Sequence, residues 1–229
     1  MGRAMQFGYC ERLDGSFWAE PLNAVTNAAF LAAAVAAFWL WRRQTGREFV
    51  TLVLTGLVFA IGIGSFLFHT IPNRWTLLAD VVPIQLFAFG YFAFALKRFL
   101  GLSGMFTAIG TLVFFGLALG LSAAGRAALP AGMAGSAGYA AFLLGLIGVA
   151  LAMSRMPALR SQSRLLALAA GTFAISLTMR SVDNALCGSL QLGTHWFWHV
   201  LNALVLYLLL RAAATGERPA VTASSSPGR

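Results

Sequence analysis

Among 229 residues there are only three histidines, His69, His195 and His199. His195 and His199 stand four residues apart, which puts both rings on one face of a helix. A lone histidine in an apolar helix ordinarily serves as a hydrogen-bonded structural residue. Three imidazoles that meet, with a fourth position left open, are instead the ligand set of a catalytic zinc site. Asp80 follows His69 across the Pro72–Asn73–Arg74 turn. It has two readings: an ion pair with Arg74 or a helix N-terminal charge, or a general base that takes a proton from metal-activated water. Ser65 sits one turn before His69, within Gly62–Ile63–Gly64–Ser65. A helix serine usually bonds back to a backbone carbonyl. Beside a metal its hydroxyl can donate to an oxyanion.

The N-terminal stretch carries three carboxylates, Glu11, Asp14 and Glu20. An acidic turn with free carbonyls can take a hard cation such as calcium, and it can equally be a capped, solvated approach to the first helix. Asn23 and Asn27 are expected to hydrogen-bond between helices. Cys10 and Cys187 are the only cysteines, and a disulfide between them is expected if both face an oxidising compartment.

The elements that must position these residues are membrane spans. Hydrophobic residues make up 59% of the chain, charged ones only 10%, and mean hydropathy is +0.78. Soluble chains carry roughly 25% charged residues, so this one lacks the polar surface to cover itself in water. Apolar runs of about 20 residues cross a bilayer as helices. They are expected near 22–42, 50–71, 77–97, 103–123, 134–153, 163–181 and 195–213, with Asp80 in the first turn of the third and Arg164 and Arg180 snorkelling from the sixth. The fold class is an all-α, seven-transmembrane helix bundle. An extracytoplasmic segment, 1–21, precedes it and a disordered cytoplasmic tail, 214–229, follows.

Orientation comes from the basic residues. Arg42, Arg43, Arg47, Lys97, Arg98, Arg155, Arg160, Arg164 and Arg211 fall on one side with the basic tail. Arg3, Arg12, Arg74, Arg126 and Arg180 fall on the other. The topology is N-out/C-in, and all three histidines converge at the outer ends. The first twenty residues carry both charge signs and read as a translocated segment, not a cleavable signal peptide. A net charge of +9 with a pI near 11 is thereby a membrane-sorting signal. Nucleic acid is excluded as a partner, and nothing demands a protein partner. Lys97 is the only lysine, at a cytoplasmic helix end, so no mid-membrane Schiff base is available to a retinal. A channel is disfavoured because the ionisable groups cluster at one end.

Taken together, the motifs resemble the alkaline ceramidases, whose superfamily also holds the adiponectin-type receptors. They are Tyr9-Cys10-Glu11, Trp18-Ala19-Glu20-Pro21-Leu22-Asn23 with Thr26-Asn27, Gly64-Ser65-Phe66-Leu67-Phe68-His69, Asp80, Asp183-Asn184 with Cys187, and His195-Trp196-Phe197-Trp198-His199. The resemblance implies an intramembrane zinc amidase. His69, His195 and His199 look like the zinc ligands, Asp80 like the residue that activates water, and Ser65 like the helper at the oxyanion. The substrate would be a ceramide-type membrane lipid, cleaved to a sphingoid base and a fatty acid, with the bundle interior holding the acyl chains. Another N-acyl lipid, a phospholipid ester, or a receptor with a vestigial site are the alternatives. The family's calcium site is matched at Glu11 and Glu20, with Asp14 placed to substitute. Gly8 and Leu13 depart from it, standing where the family has Asp and Asn. The preference for Arg over Lys points to a bacterial inner membrane with the site toward the periplasm; in a eukaryote that side is the lumen.

Overall fold

The computed structural model describes residues 8–215, so nearly all of the expected tail lies outside the described residues. Among them every regular element is helical: α1 (Pro21–Thr26), α2 (Ala28–Arg42), α3 (Phe49–Thr70), α4 (Arg74–Arg98), α5 (Gly104–Ala128), α6 (Ala131–Ala134), α7 (Ala137–Ser154), α8 (Arg160–Leu186) and α9 (His195–Thr215), with a 3₁₀ turn at Pro157–Leu159. Seven segments are long and apolar enough to cross a membrane, with α1 and α2 together forming the first. The protein is a multi-pass helical membrane protein.

The spans close into a ring: α2 packs on α3, α3 on α4, α4 on α5, α5 on α7, α7 on α8, α8 on α9, and α9 back on α2. α3 also touches α9 across the interior, which brings the end of one beside the start of the other. The outward faces are apolar. Met105, Phe106, Leu112 and Val113 of α5 are all more than half exposed, whereas Ser65, Ser176 and all three histidines are buried. Large apolar side chains outside and polar ones inside is the arrangement a lipid solvent selects.

Four local features differ from the sequence reading. The first span breaks at Asn27, between α1 and α2, and Asn23 and Asn27 bond locally and not between helices. Asn27 Nδ2 donates to the Asn23 carbonyl at 2.8 Å, and Asn23 Nδ2 to Glu20 at 3.0 Å. α4 starts earlier than its apolar run, because Asn73 and Thr76 form a reciprocal capping box. Asp80 consequently lies near the end of the second turn, not in the first. α8 runs on to Leu186, which places Asp183 within a helix. Finally, Arg180 does not snorkel. Its guanidinium turns into the bundle over the rings of Tyr139 and Trp198, at 5.4 and 5.0 Å from their centroids.

One close approach fixes α3 against α4. Pro83 lies inside α4 and has no N–H for the carbonyl of Ala79, its partner one turn back. That carbonyl packs against Gly64 of α3, where a Cβ would stand only 2.0 Å from the Ala79 oxygen. Only glycine admits this approach, and it places Ser65 beside Asp80.

A buried three-histidine site

His69 is the penultimate residue of α3, His195 the first of α9, and His199 one turn further on. All three are buried, and one ligand atom from each lies within 4.8 Å of the others. Hydrogen bonds set which ring nitrogens are free. His69 Nδ1 meets Glu20 Oε2 at 2.5 Å. Glu20 as a carboxylate only accepts, so this nitrogen carries the proton. His199 Nδ1 meets Thr26 Oγ1 at 2.9 Å. The Thr26 hydroxyl gives its own hydrogen to the Leu22 carbonyl at 2.7 Å, and therefore accepts from the imidazole. Nε2 of His69 and Nε2 of His199 are left with bare lone pairs. Both are buried without a partner, as is Nδ1 of His195. Buried imidazole nitrogens without partners are costly, and the three rings each bring one nitrogen to within 4.8 Å of the other two. A cation that takes nitrogen ligands fits that donor set.

His195 is held at its backbone by Asp183 and at its ring by Tyr9. Asp183 reaches over from α8 and accepts from the backbone N–H of Thr194 at 2.7 Å and of His195 at 3.0 Å. Its other oxygen accepts from Cys10 N at 3.0 Å. Gly193, at φ +59°, makes room for this; a Cβ there would meet Asp183 Oδ1 at 2.2 Å. The Tyr9 ring stacks on His195 with centroids 3.5 Å apart, and Arg180 Nη1 donates to the Tyr9 hydroxyl at 3.0 Å. Cys10 and Cys187 are joined by a disulfide, with Cα atoms 5.2 Å apart. The N-terminal segment is thereby fastened over the histidine end of the bundle.

The carboxylates divide into separate tasks. Asp80 lies outside the three-histidine group, with Oδ1 buried and without a hydrogen-bond partner. Ser65 is within hydrogen-bonding reach of it, and Arg180 contributes a nearby positive charge. It makes no ion pair with Arg74 among the described residues, where Arg74 is exposed. Glu11 caps α1, accepting from Leu22 N at 2.6 Å and Asn23 N at 2.8 Å. Asp14 is exposed and accepts from Ser16 N at 2.8 Å, a bond that holds its carboxyl below the usual range. Glu20 is buried between His69 and Arg12. Burial pushes its carboxyl up, but the hydrogen bonds from His69 and Asn23, with the Arg12 charge, more than reverse this and hold it low. Glu11, Asp14 and Glu20 thus do not form one ligand group among the described residues. The role of Glu20 as the partner of His69 was missed from sequence, since nothing in a separation of 49 residues signals it. Asp183 was seen only as part of a motif.

An apolar cavity opens beside the site, lined by Phe30, Ile61, Phe87, Tyr91 and Trp198, with Asn202 among the polar exceptions. Phe30 is also a ring neighbour of His199, at 6.4 Å, so cavity and histidines share a wall.

Fold and site together define a polytopic helical membrane protein with a metal-competent imidazole pocket at one end of its bundle. The family model for ceramidases matches residues 7–217, and the chain belongs to the ceramidase family. No individual curated protein matches it. Membership supports a ceramidase-type hydrolase with a lipid substrate, in agreement with the resemblance drawn from the motifs.

Proposed function

We propose that the protein is an intramembrane, zinc-dependent amidase that hydrolyses ceramide-type lipids to a sphingoid base and a fatty acid. The observation that carries this is the convergence of three buried imidazoles, each with a ring nitrogen that has no hydrogen-bond partner, in a chain of the ceramidase family. His69, His195 and His199 would hold the metal. When bound, zinc polarises a carbonyl and lowers the pKa of a water.

The rest is the work of the chain's own residues. Asp80 accepts the proton of the attacking water, at the oxygen that has no other partner, and passes it to the amide nitrogen as the C–N bond breaks. The water oxygen goes to the acyl carbon. Ser65 gives its one hydroxyl hydrogen to the Asp80 carboxylate in the resting site; once Asp80 has taken the proton of the water, that hydrogen turns to the carbonyl oxygen on which negative charge builds. Glu20 and Thr26 keep the Nδ1 proton on His69 and His199, which aims Nε2 inward. The apolar cavity takes the acyl chain, and its walls exclude water from everything but the amide. We infer from the distribution of arginines that the site faces the outer, periplasmic or lumenal, side.

Metal analysis and a lipid panel test the proposal. Purified protein is expected to contain about one zinc per chain and to release fatty acid from ceramides. His199→Ala should lose both metal and turnover. Active protein without zinc would sink the mechanism. Turnover restricted to phospholipid esters would overturn the amide reading, and zinc-bound protein inert on ceramides, N-acyl lipids and phospholipids alike would point to a receptor.

A further inference from the structure

Glu20 shares itself between two partners. One oxygen faces His69 Nδ1, and the other is taken by Arg12 Nε. Arg12 lies in the N-terminal segment, yet its side chain is only 1% exposed. Its remaining donors go to main-chain oxygens: Nη2 to the carbonyl of His69 at 2.7 Å, and Nη1 toward the carbonyl of Asp14 at 3.5 Å. One carboxylate and two carbonyls therefore converge on a single guanidinium. Carboxylate and carbonyl oxygens in one place are also what a hard divalent cation seeks. The acidic turn that invited a calcium ion in the sequence already contains a cation, and it is covalently part of the chain.

We propose that Arg12 is the built-in cation of this segment, filling the place a divalent ion would otherwise take, and that it is a positioning residue for His69. It grips His69 at both ends: the ring through Glu20, the backbone directly. A guanidinium suits this task because its planar fork serves several acceptors at fixed angles, which an ammonium cannot do. Its charge also balances the buried Glu20 carboxylate, so the segment closes without recruiting an ion from solution. The part of the proposal that concerns His69 rests on the metal reading above. The part that concerns replacement of a divalent cation does not.

The experiment uses the purified full chain in detergent and reads two quantities, the melting temperature and the zinc retained after dialysis. Wild type is expected to melt at the same temperature in millimolar calcium chloride and in a calcium-selective chelator. Arg12→Ala should melt lower in chelator and recover part of the loss with calcium or with guanidinium ion, but not with sodium at equal ionic strength. It should also hold zinc about 10–100-fold more weakly, the usual effect of removing an outer partner of a ligand. Arg12→Lys keeps the charge without the fork; it should melt between the two and still lose zinc more readily than wild type. If Arg12→Ala does not fold, Arg12→Lys and wild type decide the matter. A calcium-raised melting temperature in wild type overturns the proposal, as does destabilisation of Arg12→Ala that neither cation relieves. Wild-type zinc retention in Arg12→Lys would remove the role toward His69. Should wild type hold no zinc at all, the metal reading fails, while the calcium responses still decide the cation replacement.

Discussion

A single carboxylate, Asp183, accepts from the backbone of Cys10, Thr194 and His195, and so ties together the N-terminal segment, α8 and the start of α9. Although Asp183 belongs to the last turn of α8, its carboxylate meets the first N–H groups of α9, where the dipole of that helix favours a negative charge. Asp183→Asn retains one acceptor oxygen and loses the charge. It is expected to cost about 1–3 kcal/mol in stability and to weaken zinc retention, read by thermal melting and metal analysis. Asp80 should behave in the opposite way, because it stands outside the three-histidine group. Asp80→Asn is expected to keep its zinc and its melting temperature while turnover falls roughly 10²–10⁴-fold. Loss of metal in that variant would make Asp80 a ligand and remove it as the base. The difference in legibility between these residues is physical. Histidine and aspartate within apolar runs are expensive, so their presence alone marked His69, His195, His199 and Asp80. Glu20, Arg12 and Asp183 lie in or next to polar segments where such residues cost little. Their tasks exist only through partners far away in sequence, and no local spacing encodes them.

α3 and α4 meet at a contact made by three residues acting together: Pro83 frees the Ala79 carbonyl, Gly64 lets it approach, and Ser65 is carried to Asp80. Gly64→Ala would place a methyl group where the Ala79 oxygen now sits. Relief requires the two helices to separate, at a cost of about 1–3 kcal/mol. The expected result is a lower melting temperature and a loss of turnover larger than the loss of zinc, because Asp80 moves while the histidines stay. Equal turnover in Gly64→Ala and wild type would show that the spacing of these helices does not govern Asp80. The spans were readable from apolar runs, but their ends were not. α4 begins on a polar capping box, and α8 continues through Arg180 and Asp183, whose charges are met by partners inside the bundle. The span expected over 163–181 already holds Arg180 and stops short only of Asp183, whose charge is met by backbone donors within the fold.

Across the whole molecule, lipid exposure and charge placement are separate signals that agree. Trp75 is exposed at the histidine end, and Trp39 and Phe49 at the other, as interfacial aromatics are. Arg42 caps that far end over Phe38 and Trp39, and Arg98 pairs with Glu48 at 2.8 Å. The orientation drawn from the basic residues has a direct check. In a bacterial host, green fluorescent protein fused after Thr215 is expected to fluoresce and alkaline phosphatase fused there to be inactive. The reverse pair of results would invert the topology and place the histidines toward the cytoplasm. The bond between Cys10 and Cys187 also sets an order of events as the chain is made. Cys10 emerges early, and its partner follows 177 residues later. His195, on which Tyr9 stacks, is made later still. The amino-terminal segment must wait, unfastened, until the sixth span has entered the membrane. The stretch of synthesis that allows it to close also delivers the second and third imidazoles. A truncated or stalled chain therefore carries one histidine and an unsealed end, and the pocket comes into being only when almost the last residue it needs has been added.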